Sequence, residues 1–417
     1  MKSKITAFIC FAIIASIKLQ GQDSIYTRSI LNHLTDKSFA GRGYINNGDQ
    51  KAASFIKKEF KKIGLVEGSN NFYQNFSFAV NTFPSKMEIA INDHLLFPGK
   101  DYIIDPSSLG IKGTFNVKVI NHSPTYYKSE NFQNVILLID TSGNGKIFTT
   151  DSVRLWENNP LHAAGLIFIC EKKLTWSVST TANSFFTFHI LRSDIPANPL
   201  KIKLNIINEF IPQHQTQNVV AIIPGSSLPD SFIFITAHYD HLGKMGKHTY
   251  FPGANDNASG VTMLLNLAKY FRQPENQIKY TIVFIAFAGE EAGLIGSKYY
   301  TEHPTVDLKK INFLINLDLL GTGEDGLIVV NGAIYTEAFS SLEKINSEHH
   351  YLKTISKRGA AHNSDHYYFS EKGVPSFFCY TMGGIAAYHD IYDMANTLPL
   401  TKYKEVFSLL HDFIKSR

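Results

Sequence analysis

The stretch F-I-F-I-T-A-H-Y-D-H-L-G (232–243) decides how this chain is read. An apolar run of strand length ends in His238, and Asp240 follows two residues later. That spacing sends both side chains to the same side of an extended chain. Two nearby segments repeat the plan. F-P-G-A-N-D-N-A-S-G (251–260) sets Asp256 in a Gly/Asn-rich turn just ahead of a helix, and F-A-G-E-E-A-G-L-I-G-S (287–297) carries Glu290 and Glu291 after an apolar run. Side chains at the carboxyl ends of neighbouring strands in an open α/β sheet converge on one crevice. Carboxylates mixed with imidazole are a donor set that a divalent metal such as zinc accepts.

Around these segments the pattern is that of an α/β protein. Apolar runs at 218–224, 232–237, 280–287, 311–317, 327–330 and 375–380 read as strands, and 260–271, 335–348 and 400–415 read as helices. Short continuous apolar strands alternating with helices predict a mixed, mostly parallel central sheet flanked by helices. Upstream, 49–64 reads as an amphipathic helix with Ala52, Ala53, Phe55, Ile56, Phe60 and Ile63 as its stripe and Gly64 as its stop. Residues 72–122 alternate in short β-like segments broken by Pro84, Pro98 and Pro106. A strand at 134–140, a helix from about Leu155 to Ala164 and a strand at 165–170 suggest a small βαβ unit, and 195–206 adds a further strand. The expected organisation is a signal peptide (1–22), an N-terminal part of the main domain (23–82), a smaller β-rich insert (83–206) and the principal domain (207–417).

With 417 residues the chain exceeds a single core of usual size. A formal net charge of +4 gives no electrostatic reason to expect nucleic acid. Lys2 and Lys4 precede the apolar run Ile5–Ile17, and Gly21 or Gln22 is a plausible last residue before cleavage. The mature chain is therefore expected to be exported, periplasmic or secreted, without a membrane span. Cys10 falls in the leader, and Cys170 and Cys379 each sit in an apolar strand-like run, which favours two buried thiols over a disulfide.

Each candidate residue has an ordinary structural explanation when taken alone. His238 could bind a metal while Asp240 holds its other ring nitrogen, with His241 as a competitor. Asp256 could simply cap a helix. Of the pair Glu290 and Glu291, one carboxylate could ligate while the other accepts a proton. Asp318 ends the strand I-N-F-L-I-N-L-D, where an acid is hard to explain as core, and His389 in A-A-Y-H-D-I-Y-D is the remaining imidazole, with Asp393 or Asp390 to orient it. The joint order of these residues is the signal.

In that order the chain resembles peptidase family M28, the co-catalytic zinc aminopeptidases, over 218–417 and more loosely at 49–64. The matching segments are A-H-Y-D-H-L-G, G-A-N-D-N-A-S-G, G-E-E-A-G-L-I-G-S, N-L-D-L-L-G (316–321), S-D-H-Y-Y-F (364–369) and Y-H-D-I-Y-D. The resemblance implies a zinc exopeptidase fold with a protease-associated-like insert and two Zn2+ ions per chain. Asp256 would bridge the ions, Glu291 and His389 would complete one site, and His238 and Asp318 the other. Glu290 would be the general base and Asp240 the support of His238. Ser364, Asp365, His366 and Tyr388 would border the substrate. The implied substrates are peptides with a free N-terminus. Asp390-Ile391 stands where the family often has Thr-Pro, and Leu319 where Met is frequent, so loop shape there is open.

Other readings compete. A glutaminyl cyclase on the same fold would use one zinc, but the turn N-D-N-A-S-G fits the peptidase form. A carboxypeptidase relative would need a basic pocket for the substrate carboxylate, for which Lys357 and Arg358 are the nearest candidates. A non-catalytic binding module would be favoured if Glu290 or a ligand were missing, and none is.

Overall fold

The computed structural model describes residues 23–127, 130–140 and 150–417. The expected leader, residues 1–22, lies outside them. No helix among the described residues is long and apolar enough to cross a membrane.

The central sheet contains nine strands: β1 (Val66–Glu67), β2 (Tyr73–Thr82), β3 (Glu209–Ile223), β4 (Leu228–His238), β5 (Tyr280–Phe287), β6 (Ile311–Leu317), β7 (Gly326–Val330), β8 (Ile355–Lys357) and β9 (Ser376–Met382). Their spatial order is β1-β3-β5-β4-β6-β9-β7-β8, with β2 also paired to β3. The middle strands β5, β4, β6 and β9 run parallel, whereas β3 and β7 join them antiparallel. Both faces of the middle are covered, which is why these strands read as unbroken apolar runs. Ile233, Ile235 and Ala237 of β4 point into one core, and Phe234 points into the other with Val283, Ile285 and Phe287.

The helix Gly260–Phe271 lies inside the first core and is buried on nearly every side. The helices Gly48–Ile63, Thr336–His349 and Tyr403–Lys415 match the sequence periodicity to within a few residues. The helices Ser24–Leu34, Ile295–Glu302 and His366–Glu371 add to those that the sequence predicts.

A second sheet of eight strands is built entirely from residues 88–206. The chain leaves the central sheet at Thr82 and rejoins it at Glu209, and those two residues are cross-strand partners. Val135–Ile139 and Gly165–Cys170 pair in parallel, as a βαβ unit requires. The helix between them is Thr150–Glu157 rather than 155–164, because Asn158, Asn159 and Pro160 break it. Strand Phe186–Leu191 was missed. The core of this sheet continues into Leu242, Met245 and Phe251, so the loop after β4 packs against the insert. Among the described residues Cys170 and Cys379 are both free, with Cys379 buried and Cys170 half-buried.

Candidate metal centre

Three parallel strands end at one crevice. β4 ends in His238, β6 ends just before Asp318, and β5 runs through Ala288 and Gly289 into Glu290 and Glu291. Gly289 has φ +69°, which turns the chain sharply after β5. The loop before the Gly260–Phe271 helix supplies Asp256, and the loop after β9 supplies His389. His389 itself has φ +53°, a left-handed conformation that a non-glycine residue holds only when its surroundings impose it.

These side chains form two adjoining sets that share Asp256. Its Oδ1 lies 3.3 Å from His238 Nε2, which is also 3.5 Å from Asp318 Oδ2. Its Oδ2 lies 3.0 Å from His389 Nε2, which is also 3.3 Å from Glu291 Oε2. A tetrahedral ion with bonds of about 2.0–2.1 Å to nitrogen and oxygen has ligand–ligand edges of about 3.3–3.4 Å. The observed imidazole–carboxylate separations lie close to those edges, and His238 brings its ligand atom near enough to those of Asp256 and Glu291, or of Glu290 and Asp318, to hold a divalent metal ion. Asp318 Oδ1 is buried without a protein hydrogen-bond partner. Glu290 reaches 4.0 Å from His238 Nε2, farther than the other carboxylates, and lines the cavity.

Burial pushes the Glu291 carboxyl up to about 8, with Asp256 adding to the effect. Glu290 and Asp318 are likewise raised by burial. For His389 burial opposes protonation, but Glu291 and Asp256 outweigh it and hold the imidazole up to about 9. The acids and imidazoles thus already attract one another across the crevice.

Several partners were not legible in the sequence. Asp240 faces His238 Nδ1 more closely with its main-chain carbonyl, at 3.2 Å, than with its carboxylate, at 3.7 Å. That carboxylate instead accepts hydrogen bonds from Tyr44 Oη at 2.5 Å and from the backbone N–H groups of Glu290 and Glu291 at 3.2 Å each. It therefore ties the β4 end to the Glu-Glu turn. His241 does not compete with His238; its Nδ1 lies 2.7 Å from Glu291 Oε1 and orients that carboxylate.

Neither Asp393 nor Asp390 orients His389. Asp393 accepts from the backbone N–H groups of Asn255 and Asp256, fixing the loop that presents Asp256, and Asp390 pairs with Lys173 of the insert at 2.9 Å. The partner of His389 Nδ1 is the carbonyl of Trp176, at 2.9 Å, and the Trp176 N–H donates back to the His389 carbonyl, also at 2.9 Å.

Arg42 is fully buried and donates to the carbonyls of Leu34, Tyr239, Pro252, Gly253 and Asp256. Its neighbours Gly41 and Gly43 lie against Gly243, where a Cβ on either would come within 2.3 Å of that residue's backbone. The motif A-G-R-G (40–43) therefore docks the N-terminal segment onto the loop after β4.

The expectation that Ser364, Asp365 and His366 border the substrate needs correction. All three are buried and none lines the cavity. Ser364 Oγ instead donates to Asp318 Oδ2 at 3.2 Å and accepts from Asn316 at 2.8 Å, so it braces a candidate ligand from behind. Burial holds the Asp365 carboxyl up at about 7 and pushes the His366 imidazole down to about 4. Tyr388 does line the cavity, stacked on His389 with ring centroids 4.0 Å apart. The cavity measures about 240 Å³, and Leu319, Arg358, Asn363, Phe378 and Tyr380 complete its wall.

The parallel strand ends of this sheet present a carboxylate and imidazole donor set suited to a divalent metal, and the comparisons point the same way. Residues 218–414 match the model of peptidase family M28. The chain is 31% identical to Aminopeptidase YwaD of Bacillus subtilis over 172 residues, 39% of this chain and 34% of that one. It is 38% identical to a probable zinc metalloprotease of Pyricularia oryzae over 115 residues, 26% of this chain and 22% of that one. The chain thus spans about a third or less of the length of these curated relatives. The fold resembles the zinc aminopeptidase BSAP of Bacillus subtilis with a TM-score of 0.72 at 18% identity, over 96% of both chains. It also resembles a peptidase M28 precursor from Shewanella amazonensis, with a TM-score of 0.70 at 16% identity, over 94% of this chain and 93% of that one. At these identities the structural likeness is one of fold.

Proposed function

We propose that this protein is an exported metallo-aminopeptidase that removes N-terminal residues from peptides with two zinc ions and Glu290 as general base. One observation carries the reading: Asp256 turns one carboxylate oxygen toward His238, at 3.3 Å, and the other toward His389, at 3.0 Å. A carboxylate shared in this way suits two cations side by side. His238 and Asp318 would hold one ion with Asp256, and Glu291 and His389 the other. When bound, zinc supplies Lewis acidity to the scissile carbonyl and makes water a usable nucleophile near neutral pH. Relatives named as an aminopeptidase and a probable zinc metalloprotease, and a fold neighbour named as a zinc aminopeptidase, support the zinc aminopeptidase part of this reading.

The chain's own residues then divide the work. Glu290, anchored through its N–H on Asp240, takes the proton from the attacking water and returns it to the leaving amine. The substrate's free α-amino group would be received at the ligand cluster around Asp256 and Glu291, as the resemblance implies. A cavity of about 240 Å³ is smaller than most small-molecule sites and has room for a terminal residue rather than a chain passing through. The sheet of residues 88–206 is read as the protease-associated-like insert, which meets the site through the Trp176 hydrogen bonds to His389.

The test uses mature protein stripped with a chelator and titrated with zinc against a panel of aminoacyl anilides. Activity restored by two zinc per chain and abolished by N-acetylation of the substrate is the expected result. Cyclisation of a glutaminyl substrate with one zinc would replace this reading by a cyclase, and metal binding without turnover would remove the substrate class.

A further inference from the structure

The cavity beside the candidate metal ligands contains a basic group that the proposed mechanism does not use. Arg358, an exposed residue, follows the edge strand β8 and lines the cavity together with Asn363, Phe378 and Tyr380. Its neighbour Lys357 faces elsewhere, over the ring of Phe339 at 5.3 Å. Arg358 Nη1 donates to Tyr380 Oη at 2.8 Å, which steers the planar group along the wall formed by β9. No carboxylate of a described residue pairs with it, although the cavity also contains Asp256, Glu290, Glu291 and Asp318. A guanidinium has five N–H donors in a fixed fork, so one bond to a phenol leaves most of the fork free. That fork matches a carboxylate in bidentate fashion.

The cavity therefore offers two unlike ends, the candidate metal centre at which the free amino group is received and a guanidinium suited to a carboxylate. With a volume near 240 Å³, the two ends belong to the same small substrate. We propose that Arg358 makes the site selective for substrates with a carboxylate close to the scissile bond. That carboxylate is either the side chain of an N-terminal Asp or Glu or the C-terminus of a dipeptide. This inference rests on the exopeptidase reading above and gives that reading a substrate class.

Zinc-loaded full-length mature protein would be assayed on two matched pairs. Glutamyl against glutaminyl p-nitroanilide isolates the side-chain carboxylate, and a neutral dipeptide against its C-terminal amide isolates the terminal one. Each pair is repeated with Arg358→Gln and Arg358→Lys, with thermal melts to verify folding. The expected result is a kcat/KM preference of about tenfold or more for the charged member of one pair, expressed mainly in KM, as a charge-assisted contact gives. Arg358→Gln collapses that ratio toward one, and Arg358→Lys keeps part of it. Parent protein that hydrolyses both members of each pair equally, or a preference that survives Arg358→Gln, overturns the inference and leaves the aminopeptidase reading standing. No turnover of any compound overturns both.

Discussion

Replacing Arg42 with lysine should cost far more than the conservation of charge suggests. The guanidinium is fully buried, and its five N–H donors meet five carbonyls, one each. Nε bonds Tyr239 at 2.8 Å, Nη1 bonds Leu34 at 3.1 Å and Pro252 at 2.6 Å, and Nη2 bonds Gly253 at 2.7 Å and Asp256 at 3.2 Å. Burial lowers its pKa only to about 10, with Asp256 and Asp393 opposing the fall, so the charge persists at neutral pH. An ammonium has three donors at one point, so at least two carbonyls lose this partner. An unsatisfied buried acceptor costs about 1–3 kcal/mol, which gives roughly 2–6 kcal/mol for Arg42→Lys. The lower end applies if Gly253 is one of the two, because its carbonyl also accepts from Ala258 N–H at 3.2 Å.

The assay is thermal and denaturant unfolding in chelator, so that metal linkage does not mask the loss, followed by zinc titration of the folded variant. Three of the five carbonyls belong to the loop that presents Asp256. Zinc affinity should therefore fall about 10–100-fold, the usual consequence of disturbing the support of a metal ligand. A variant within about 1 kcal/mol of the parent would refute the saturation reasoning. A destabilised variant that binds zinc as the parent does would refute the link to Asp256.

Four further outcomes follow from the same geometry. Tyr44→Phe removes the 2.5 Å bond to the fully buried Asp240 and should lose about 1.5–3 kcal/mol in denaturant unfolding; an unchanged midpoint would show that the phenol is dispensable. Trp176→Ala removes a buried ring 4.7 Å from Phe251 and its bond to the Ile104 carbonyl, a loss of about 3–5 kcal/mol, and zinc titration should show one of two sites weakened; two parent-like sites would contradict the role of this segment. Glu290→Gln should retain metal binding while kcat falls about 10²–10⁴-fold, and near-parent turnover would remove Glu290 as the base. In the insert, burial disfavours the His189 imidazolium but Asp105 and Cys170 outweigh it and hold its pKa up to about 9. Its contribution to stability is thus present below about pH 6.5 and lost as pH rises through 9, so His189→Gln should flatten the decline in melting temperature over that window, and parallel curves for parent and variant would refute it.

What was legible in the sequence is what period and punctuation encode. The parallel middle strands are buried on both faces, so they read as apolar runs, and the ligand residues interrupt those runs at their carboxyl ends, where an acid has no packing role. The supports were not legible, because most of them use the main chain. The Trp176 carbonyl that meets His389 carries no residue-type signal, and its ring lies 213 positions away in sequence. Arg42 acts on five carbonyls and leaves no charge partner to search for. The resemblance places Ser364 at the substrate border, whereas its bonds to Asn316 and Asp318 hold it inward behind β6.

The two ligand sets are consequently built to different stiffness. His238 and Asp318 stand at the ends of adjacent parallel strands, β4 and β6, whose ladder fixes their spacing. His389 stands in a loop, in a left-handed conformation, and its ring nitrogen and carbonyl are both held by Trp176 from the inserted sheet. Lys173 adds a second tie, donating to the Ala386 carbonyl at 2.7 Å and pairing with Asp390 at 2.9 Å. A side chain positioned by a strand ladder is fixed by the fold of its own sheet. One positioned by contacts between two sheets moves when either sheet moves relative to the other. The insert therefore bears on the candidate ligand His389, whose ring nitrogen and carbonyl both bond to Trp176. Loosening the 173–176 segment should reach the Glu291–His389 side of Asp256 first, while the His238–Asp318 side keeps its geometry.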